Sequence, residues 1–176
     1  MCNSLGVMRR IKQYVPKKSL ITIYNTMILP HIDYAIIIWS NCSDAALSKV
    51  QKLQNAAMRI ILGVPFRTHT NDMLKELSFM DVRSRISYAT GCMMFKVLHD
   101  MTPYYLSNFR AITDVHSINT RQSKAGNLYI PKCNINYGKK AFNYKGGVLW
   151  NVMSRDIRNA ESVMSFKIMF KNDLKL

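Results

Sequence analysis

The sequence is poor in acidic residues and in the residue clusters that carry out chemistry. Only 10 of its 176 residues are Asp or Glu, against 25 Lys and Arg, and no acid lies between Asp114 and Asp156. The acids are scattered, so they do not form the converging carboxylates that two-metal phosphoryl transfer requires. The sequence also lacks a Tyr-x-Asp-Asp motif, a glycine-rich phosphate loop and a Ser/His/Asp-type cluster. We therefore predict that the chain is not an enzyme on its own and has no catalytic residue.

Two further features of the sequence argue against metal ligation and against membrane insertion. No Cys-x-x-Cys occurs and no Cys stands at ligand spacing from a His, so we predict no metal site and no cofactor in this chain. The one long apolar run, residues 20–39, has Pro30, His31 and Asp33 near its middle. A central Asp costs about 2.5–3.5 kcal/mol on insertion into a bilayer. We expect a buried core helix there, no membrane partner, and an intracellular protein of the nucleus or cytoplasm.

What the sequence does contain is apolar content and positive charge. A hydrophobic fraction of 48% is enough for a packed core, and 176 residues make one domain or one domain with an appendage. The net charge of +15 favours an anionic partner such as nucleic acid. The charge is concentrated at the two ends, because residues 1–18 hold no acid and residues 121–176 hold 11 basic and 3 acidic residues.

Apolar residues at helical spacing predict a mainly α-helical bundle. The predicted helices span, in order, residues 5–15, 19–39, 45–62, 71–77, 81–100 and 162–174. Pro30 is expected to kink or split the second helix. Ser43 or Asp44 is expected to begin the third helix, and Gly63 to end it.

The pattern changes toward the C-terminus. Residues 127–131 and 139–144 are short aromatic or β-branched runs, with Asn136 and Gly138 as turn residues between them. This pattern predicts a small C-terminal β-hairpin. Gly146 and Gly147 are interpreted as a turn or a flexible point. The predicted organisation is a helical bundle over residues 1–112 and a basic segment with short strands and a final helix over residues 113–176.

Two sets of cations are candidate nucleic-acid-binding residues. Cations neutralise phosphates, and aromatic faces stack on unpaired bases. The C-terminal set is interleaved with Tyr137, Tyr144 and Trp150. The alternative is a solvated basic surface, with Trp150 in the core. The C-terminal set is Arg121, Lys124, Lys132, Lys139, Lys140, Lys145 and Arg155, and the N-terminal set is Arg9, Arg10, Lys12, Lys17 and Lys18.

Two smaller questions stay open at the level of the sequence. Lys49, Lys52 and Arg59 share one predicted helix, where they either face a duplex or form a plain solvated face. An Asp at position 33 in apolar surroundings needs a partner, because an unpaired charge there is costly. Either Arg83 or Arg85 can supply that partner.

The order of the segments carries a family resemblance. The segments are YNTMILPHIDYAIIIW (24–39), KVQKLQNAAMRIILG (49–63), DMLKELSFMDVRSR (72–85), MTPYYLSNF (101–109), NTR (119–121), GGVLWN (146–151) and SFKIMFK (165–171). Each is weak alone. Together, over nearly the whole chain, they resemble the region C-terminal to the polymerase palm in non-LTR (LINE-type) retrotransposon reverse transcriptases of the jockey/RTE kind.

The resemblance implies a thumb and the segment after it, with the thumb-like bundle over residues 1–112. Such a region holds the template–primer duplex and the element's RNA while an upstream palm supplies the paired metal-binding aspartates. The implied partners are RNA or an RNA/DNA duplex and a reverse-transcriptase palm domain, and any divalent metal belongs to that palm. Two other hypotheses remain: a helical protein-interaction module that touches no nucleic acid, and a decayed gene product without a selected role.

Overall fold

The computed structural model describes residues 2–106, 109–115 and 126–174. Within it, the chain forms two compact units, residues 1–86 and residues 87–176. The division falls inside one long helix. The boundary after residue 112, which composition indicated, stays a prediction. Arg121 and Lys124 of the C-terminal set lie outside the described residues.

Helices make up most of the described residues, so the chain is mainly helical, as predicted. The first unit holds α1 (Cys2–Ile11), α2 (Lys17–Ile23), a π-helical turn (Tyr24–Ile28), α3 (Leu29–Asp33), α4 (Ile36–Trp39), α5 (Asp44–Leu62) and α6 (Thr70–Leu77). Helix α7 (Val82–Leu98) spans the division. The second unit continues with a 3-10 turn (Tyr104–Leu106), α8 (Ile112–Val115), α9 (Asn136–Lys140), α10 (Phe142–Val152), α11 (Arg155–Arg158) and α12 (Val163–Asp173).

The predicted C-terminal β-hairpin is wrong. The described ranges contain no strand, only an isolated antiparallel bridge between Ala111 and Leu128. Residues 139–144 belong to α9 and α10 and the junction between them. The side chain of Asn151 on α10 takes the place of a partner strand. Its Nδ2 donates to the Leu128 carbonyl at 2.9 Å and its Oδ1 accepts from the Leu128 N–H at 2.8 Å, which satisfies both backbone groups.

Gly146 and Gly147, interpreted from the sequence as a turn or a flexible point, are buried inside α10. A Cβ added at Gly146 would lie 2.5 Å from the Sδ atom of Met94 on α7. The missing side chain therefore lets these two helices pack closely. The glycine pair therefore does not mark a turn, and it permits close packing within the second unit.

The segment over residues 20–39 is broken more often than the sequence indicated. The π-helical turn ends directly before α3, where Leu29 donates to the carbonyl of Tyr24, and Pro30, which has no N–H to donate, follows at once. A second break falls at Ala35, whose φ of +49° separates α3 from α4. The segment is not buried on all sides, since Tyr34 is 82% exposed. Among the described residues, no helix combines the length and apolar character needed to span a bilayer.

Helix α5 is the central support of the first unit. Its predicted limits are confirmed: the Oγ of Ser43 accepts from the N–H of Ala46 at 3.4 Å, and Gly63 ends the helix with a φ of +68°. The core around it is apolar apart from one amide. That core consists of Leu5, Met8, Leu20, Tyr24, Ile28, Ala57, Met58, Ile60, Ile61, Met73 and Leu77.

The buried amide is Gln54, which connects α5 to two other segments of the first unit. Its Nε2 donates to the Tyr24 hydroxyl at 3.1 Å and to the Met80 carbonyl at 2.9 Å. Burial raises the pKa of Tyr24, although the hydrogen bond from Gln54 lowers it in part. The neutral phenol is therefore the form that the fold favours.

The partner of Asp33 is Arg85. The Arg85 Nη1 lies 2.9 Å from each carboxylate oxygen of Asp33. Arg83 instead contacts Asp44 at 2.6 Å in an exposed pair. The carboxylate of Asp33 is partly exposed. The apolar residues around it in the sequence had predicted a more buried position.

The second unit has an aromatic core. The ring of Phe166 on α12 lies 4.5 Å from that of Phe95 and 6.2 Å from that of Trp150, measured between centroids. Trp150 is 6% exposed, which agrees with its interpretation as a core residue. Helix α12 begins near its predicted start, where the Ser162 Oγ accepts from the N–H of Ser165 at 3.1 Å.

Candidate nucleic-acid interface

A groove of about 800 Å³ lies in the first unit, lined by α1 and the residue after it, and by α5 and the segment that follows it. Four of its lining side chains are basic, and no acidic side chain is among those that line it in the described residues. We call it the cationic groove. Its lining residues are Arg9, Lys12, Lys52, Asn55, Ala56, Arg59, Ile60, Gly63, Val64 and Phe66.

Helical spacing explains why the four cations converge. Arg9 lies on α1 and Lys12 directly follows its end, where the Lys12 N–H still donates to the Met8 carbonyl at 3.1 Å, so the three-residue spacing keeps the two on one side. Lys52 and Arg59 are seven residues apart on α5 and share one helix face. Both helices contribute buried residues to the core of the first unit. The core thus brings the two helices together, and their basic faces line the same groove.

The acids of the first unit that form ion pairs do so with other cations. Glu76 contacts Lys17 at 2.6 Å, and the carboxylates at positions 33 and 44 contact Arg85 and Arg83. Within the described residues, none of the four groove cations is in an ion pair. Uncompensated charge of one sign around a concave surface concentrates the positive potential there and attracts anions.

Arg59 is held in the groove wall by an aromatic ring. Its Cζ lies 4.9 Å from the centroid of the Phe66 ring, within cation–π range. The buried Nε of Arg59 has no hydrogen-bond partner among the described residues. Phe66 is 83% exposed, so most of its surface stays open despite this contact. Arg59 itself is half-buried, so packing positions its guanidinium beside the ring.

The structure divides the N-terminal set. Arg9 and Lys12 line the cationic groove, whereas Arg10 and Lys18 are exposed and lie outside its lining. Lys17 also lies outside it and is paired with Glu76 at 2.6 Å. Two predicted residues therefore join a common site, and three do not.

On α5, the sequence left a duplex-facing surface and a plain solvated face as alternatives. Lys52 and Arg59 line the cationic groove, while Lys49 is exposed outside its lining. Asn55, which the sequence analysis did not single out, lines the groove between them. The spacing of Lys52 and Arg59 was visible in the sequence. The packing of α1 that completes the groove was not.

The C-terminal set is carried by several short elements of the second unit. Lys139 and Lys140 end α9, and the Nζ of Lys140 lies 5.9 Å from the centroid of the exposed Tyr137 ring. Lys145 is half-buried on α10. Lys132 and Arg155 are exposed, in a segment without regular secondary structure and at the start of α11 respectively. As described above, Arg121 and Lys124 fall outside the described residues.

The groups with shifted pKa values reflect packing and lie outside the cationic groove. Burial raises the pKa of the Cys92 thiol, which makes it less reactive. Burial, followed by the neighbouring charge of Arg155, lowers the pKa of Arg158, whose Nη1 donates to Asn127 at 3.1 Å.

In the part of the chain that the structure describes, no three His, Cys, Asp or Glu residues gather to hold a metal ion.

No protein-family model, curated protein or solved structure matches this chain. The geometry and charge of the cationic groove are therefore the structural basis from which a function is proposed.

Proposed function

We propose that this chain binds RNA or an RNA/DNA duplex in its cationic groove, through contacts to phosphates that do not read the base sequence. One observation carries the proposal. Four basic side chains, from α1, the residue after it and α5, line one concavity, and no acid lines it among the described residues. Phosphate contacts of this kind supply most of the affinity in non-specific nucleic-acid binding.

The resemblance to LINE-type reverse transcriptases gives this proposal a biological setting. In that setting the chain is a thumb-like region that holds RNA or template–primer duplex, and it works beside a palm domain in the nucleus or cytoplasm. Phosphoryl transfer and its divalent metals belong to the palm. On this proposal the chain contributes binding and no chemical step.

The proposal predicts a strong dependence of affinity on salt. Each neutralised phosphate of a single strand contributes about −0.7 to the slope of log K against log salt. The four groove cations together predict a slope of about −3, or an affinity loss of about 50-fold between about 50 and 200 mM salt. Fluorescence anisotropy with a labelled oligouridine measures this slope directly. An absence of binding at low salt, or a flat dependence, contradicts the proposal.

Matched variants locate the site. Arg9→Glu with Lys52→Glu reverses two groove charges, while Arg10→Glu with Lys49→Glu reverses two charges on the same helices outside the groove lining. The net charge changes equally in both. We expect the groove variant to lose at least about 10-fold in affinity and its control to lose less than about 3-fold. Equal losses would mean that overall charge, and not the groove, binds RNA.

A further inference from the structure

We infer that the cationic groove takes an unpaired segment of nucleic acid, with a base stacked on Phe66, in preference to a duplex. The inference rests on the proposed function and specifies which form of nucleic acid that site accepts. It follows from three properties of the groove: an exposed aromatic ring, its size, and the way in which bases are presented.

The first property is the exposed ring of Phe66 in the lining of a basic groove. A phenyl ring that is 83% exposed leaves apolar surface in water, where it contributes little to the core. The ring has a packing partner, because the Cζ of Arg59 lies 4.9 Å from its centroid. The residue before it is Pro65, which restricts the backbone on that side.

A positioned aromatic ring next to several cations is the combination that single-strand-binding proteins use. Cations follow the phosphates, and the ring provides a stacking surface that accepts any base, since every base has a π-face. Arg59 adds a cation–π contact to the same ring, so a stacked base extends an arrangement that already exists. Stacking on Phe66 therefore does not require base-specific hydrogen bonds.

The second property is size. A volume of about 800 Å³ falls within the range of about 300–1,000 Å³ that is typical of small-ligand sites. Such a groove holds a short stretch of one strand. It does not enclose a double helix, which can touch only the rim of the groove with its backbone.

The third property concerns the bases. In a duplex they are paired and stacked on one another, so they reach a protein ring only after extrusion, which costs free energy. In a single strand they are free to stack on the ring. The phosphates of both forms can contact the four cations, but only the unpaired form also gains the contact with Phe66.

The test compares equilibrium affinities for a labelled oligouridine and for an RNA duplex of the same length at one salt concentration. We expect the unaltered chain to prefer the single strand. Phe66→Leu should weaken single-strand binding by about 5- to 100-fold, the usual range for loss of one stacking contact, and should weaken duplex binding by a clearly smaller factor, since a duplex loses only the support that the ring gives to Arg59. Phe66→Trp should retain the affinity, and the added indole fluorescence should be quenched by the single strand.

Tyr14→Leu is the matched control, since Tyr14 is also a highly exposed aromatic residue of the first unit and lies outside the groove lining. We expect it to bind both RNA forms as the unaltered chain does. Circular dichroism confirms that each variant is folded.

The outcomes separate the inference from the proposed function. If Phe66→Leu binds the single strand with full affinity while reversal of Arg9 and Lys52 still lowers the affinity at least about 10-fold, the stacking inference is overturned and the proposed function stands. An equal affinity of the unaltered chain for both forms also overturns the inference. If neither form binds at low salt, the proposed function itself fails.

Discussion

The two most basic regions of the chain, the cationic groove and the C-terminal set, differ in how their charges are arranged. The cations of the groove lie on α1, on the residue that follows it and on α5, and together they line a single concavity. The described members of the C-terminal set lie on several short elements of the second unit. The C-terminal region is the more basic in sequence, with 11 basic and 3 acidic residues from residue 121 onward. Charge density along a sequence thus does not reveal where charges converge in space.

The two units also use their polar and aromatic residues differently. In the first unit, side-chain amides of α5 fix neighbouring segments: Gln51 accepts from the N–H of Val82 at 2.8 Å, and Asn55 donates to the Thr70 hydroxyl at 3.0 Å. Helix α5, which contributes half of the residues that line the groove, is therefore fixed at several points. In the second unit, Phe166 and its aromatic neighbours are used for the core itself.

The largest expected effect on RNA affinity comes from reversing two positive charges in one region or in the other. We predict that Lys52→Glu with Arg59→Glu lowers single-strand RNA affinity by about 100-fold, because two phosphate contacts become repulsive. Lys139→Glu with Lys140→Glu changes the net charge equally and should cost less than about 5-fold. Anisotropy titrations of both variants measure the ratio. A larger loss in the second variant would reverse the ranking and return the site to the C-terminal set.

The next prediction compares two glycines, one closely packed in the second unit and one on α1 with open space around it. A Cβ at Gly91 would overlap the ring of Phe170, so Gly91→Ala should lower the free energy of unfolding by about 1–3 kcal/mol. Gly6 on α1 has open space around it, and Gly6→Ala should raise the free energy of unfolding by about 0.5–1 kcal/mol. Denaturant unfolding compares the two. A neutral Gly91→Ala would show that Phe170 yields easily.

A smaller effect concerns the buried phenol of Tyr24 in the first unit. The folded pKa of Tyr24 lies above the unfolded value of 10.0, so its contribution to stability is complete below that pH and is lost as pH rises through the folded pKa. Tyr24→Phe should reduce this alkaline loss. At neutral pH it should cost about 1 kcal/mol, because the hydrogen bond from Gln54 disappears.

Free energies of unfolding at about pH 8 and about pH 11 provide the measurement for Tyr24, and the difference between the two chains isolates its contribution. Tyr14→Phe is the control, since Tyr14 is exposed. If Tyr24→Phe and the unaltered chain lose stability in parallel over that range, the burial of the phenol is not what favours its neutral form.

The smallest effect is a gain in stability. Ala35 adopts a φ of +49°, a conformation that disfavours a Cβ, so Ala35→Gly should raise the free energy of unfolding by about 0.5 kcal/mol after the entropic cost of glycine. Ala45→Gly, in the first turn of α5, should instead lower it by about 0.5 kcal/mol. Thermal or denaturant unfolding distinguishes the signs. A loss at position 35 would contradict the left-handed conformation.

The parts of the fold that local signals determine were predictable. Helix α5 begins after Ser43 and ends at Gly63 because a side-chain cap and a left-handed glycine act within a few residues. The hairpin failed because a distant residue decided the outcome: Asn151 satisfies the backbone of Leu128, which lies 23 positions away in the sequence. Propensity along a short segment does not contain that information.

The same reasoning separates the predicted and missed parts of the site. Arg9 and Lys12 were predicted as binding residues from their charge alone. Their convergence with Lys52 and Arg59 depends on tertiary packing between segments about 40 residues apart, which one sequence does not specify. Phe66, the stacking residue that we propose, was not a candidate in the sequence because a single exposed aromatic has no periodic signal. The proposal for it rests on its place in the groove lining, with Arg59 over its ring.

The most direct test of the central claim is to map where RNA contacts the chain. Photo-crosslinking of a 4-thiouridine oligonucleotide at low salt, followed by mass spectrometry of the digested complex, identifies the contacted peptides. We predict crosslinks in the peptides that contain Arg9 to Lys12 and Lys52 to Phe66, with loss of the latter in Phe66→Leu. Crosslinks confined to residues 132–155, with none in α1 or α5, would contradict the assignment of the cationic groove as the binding site.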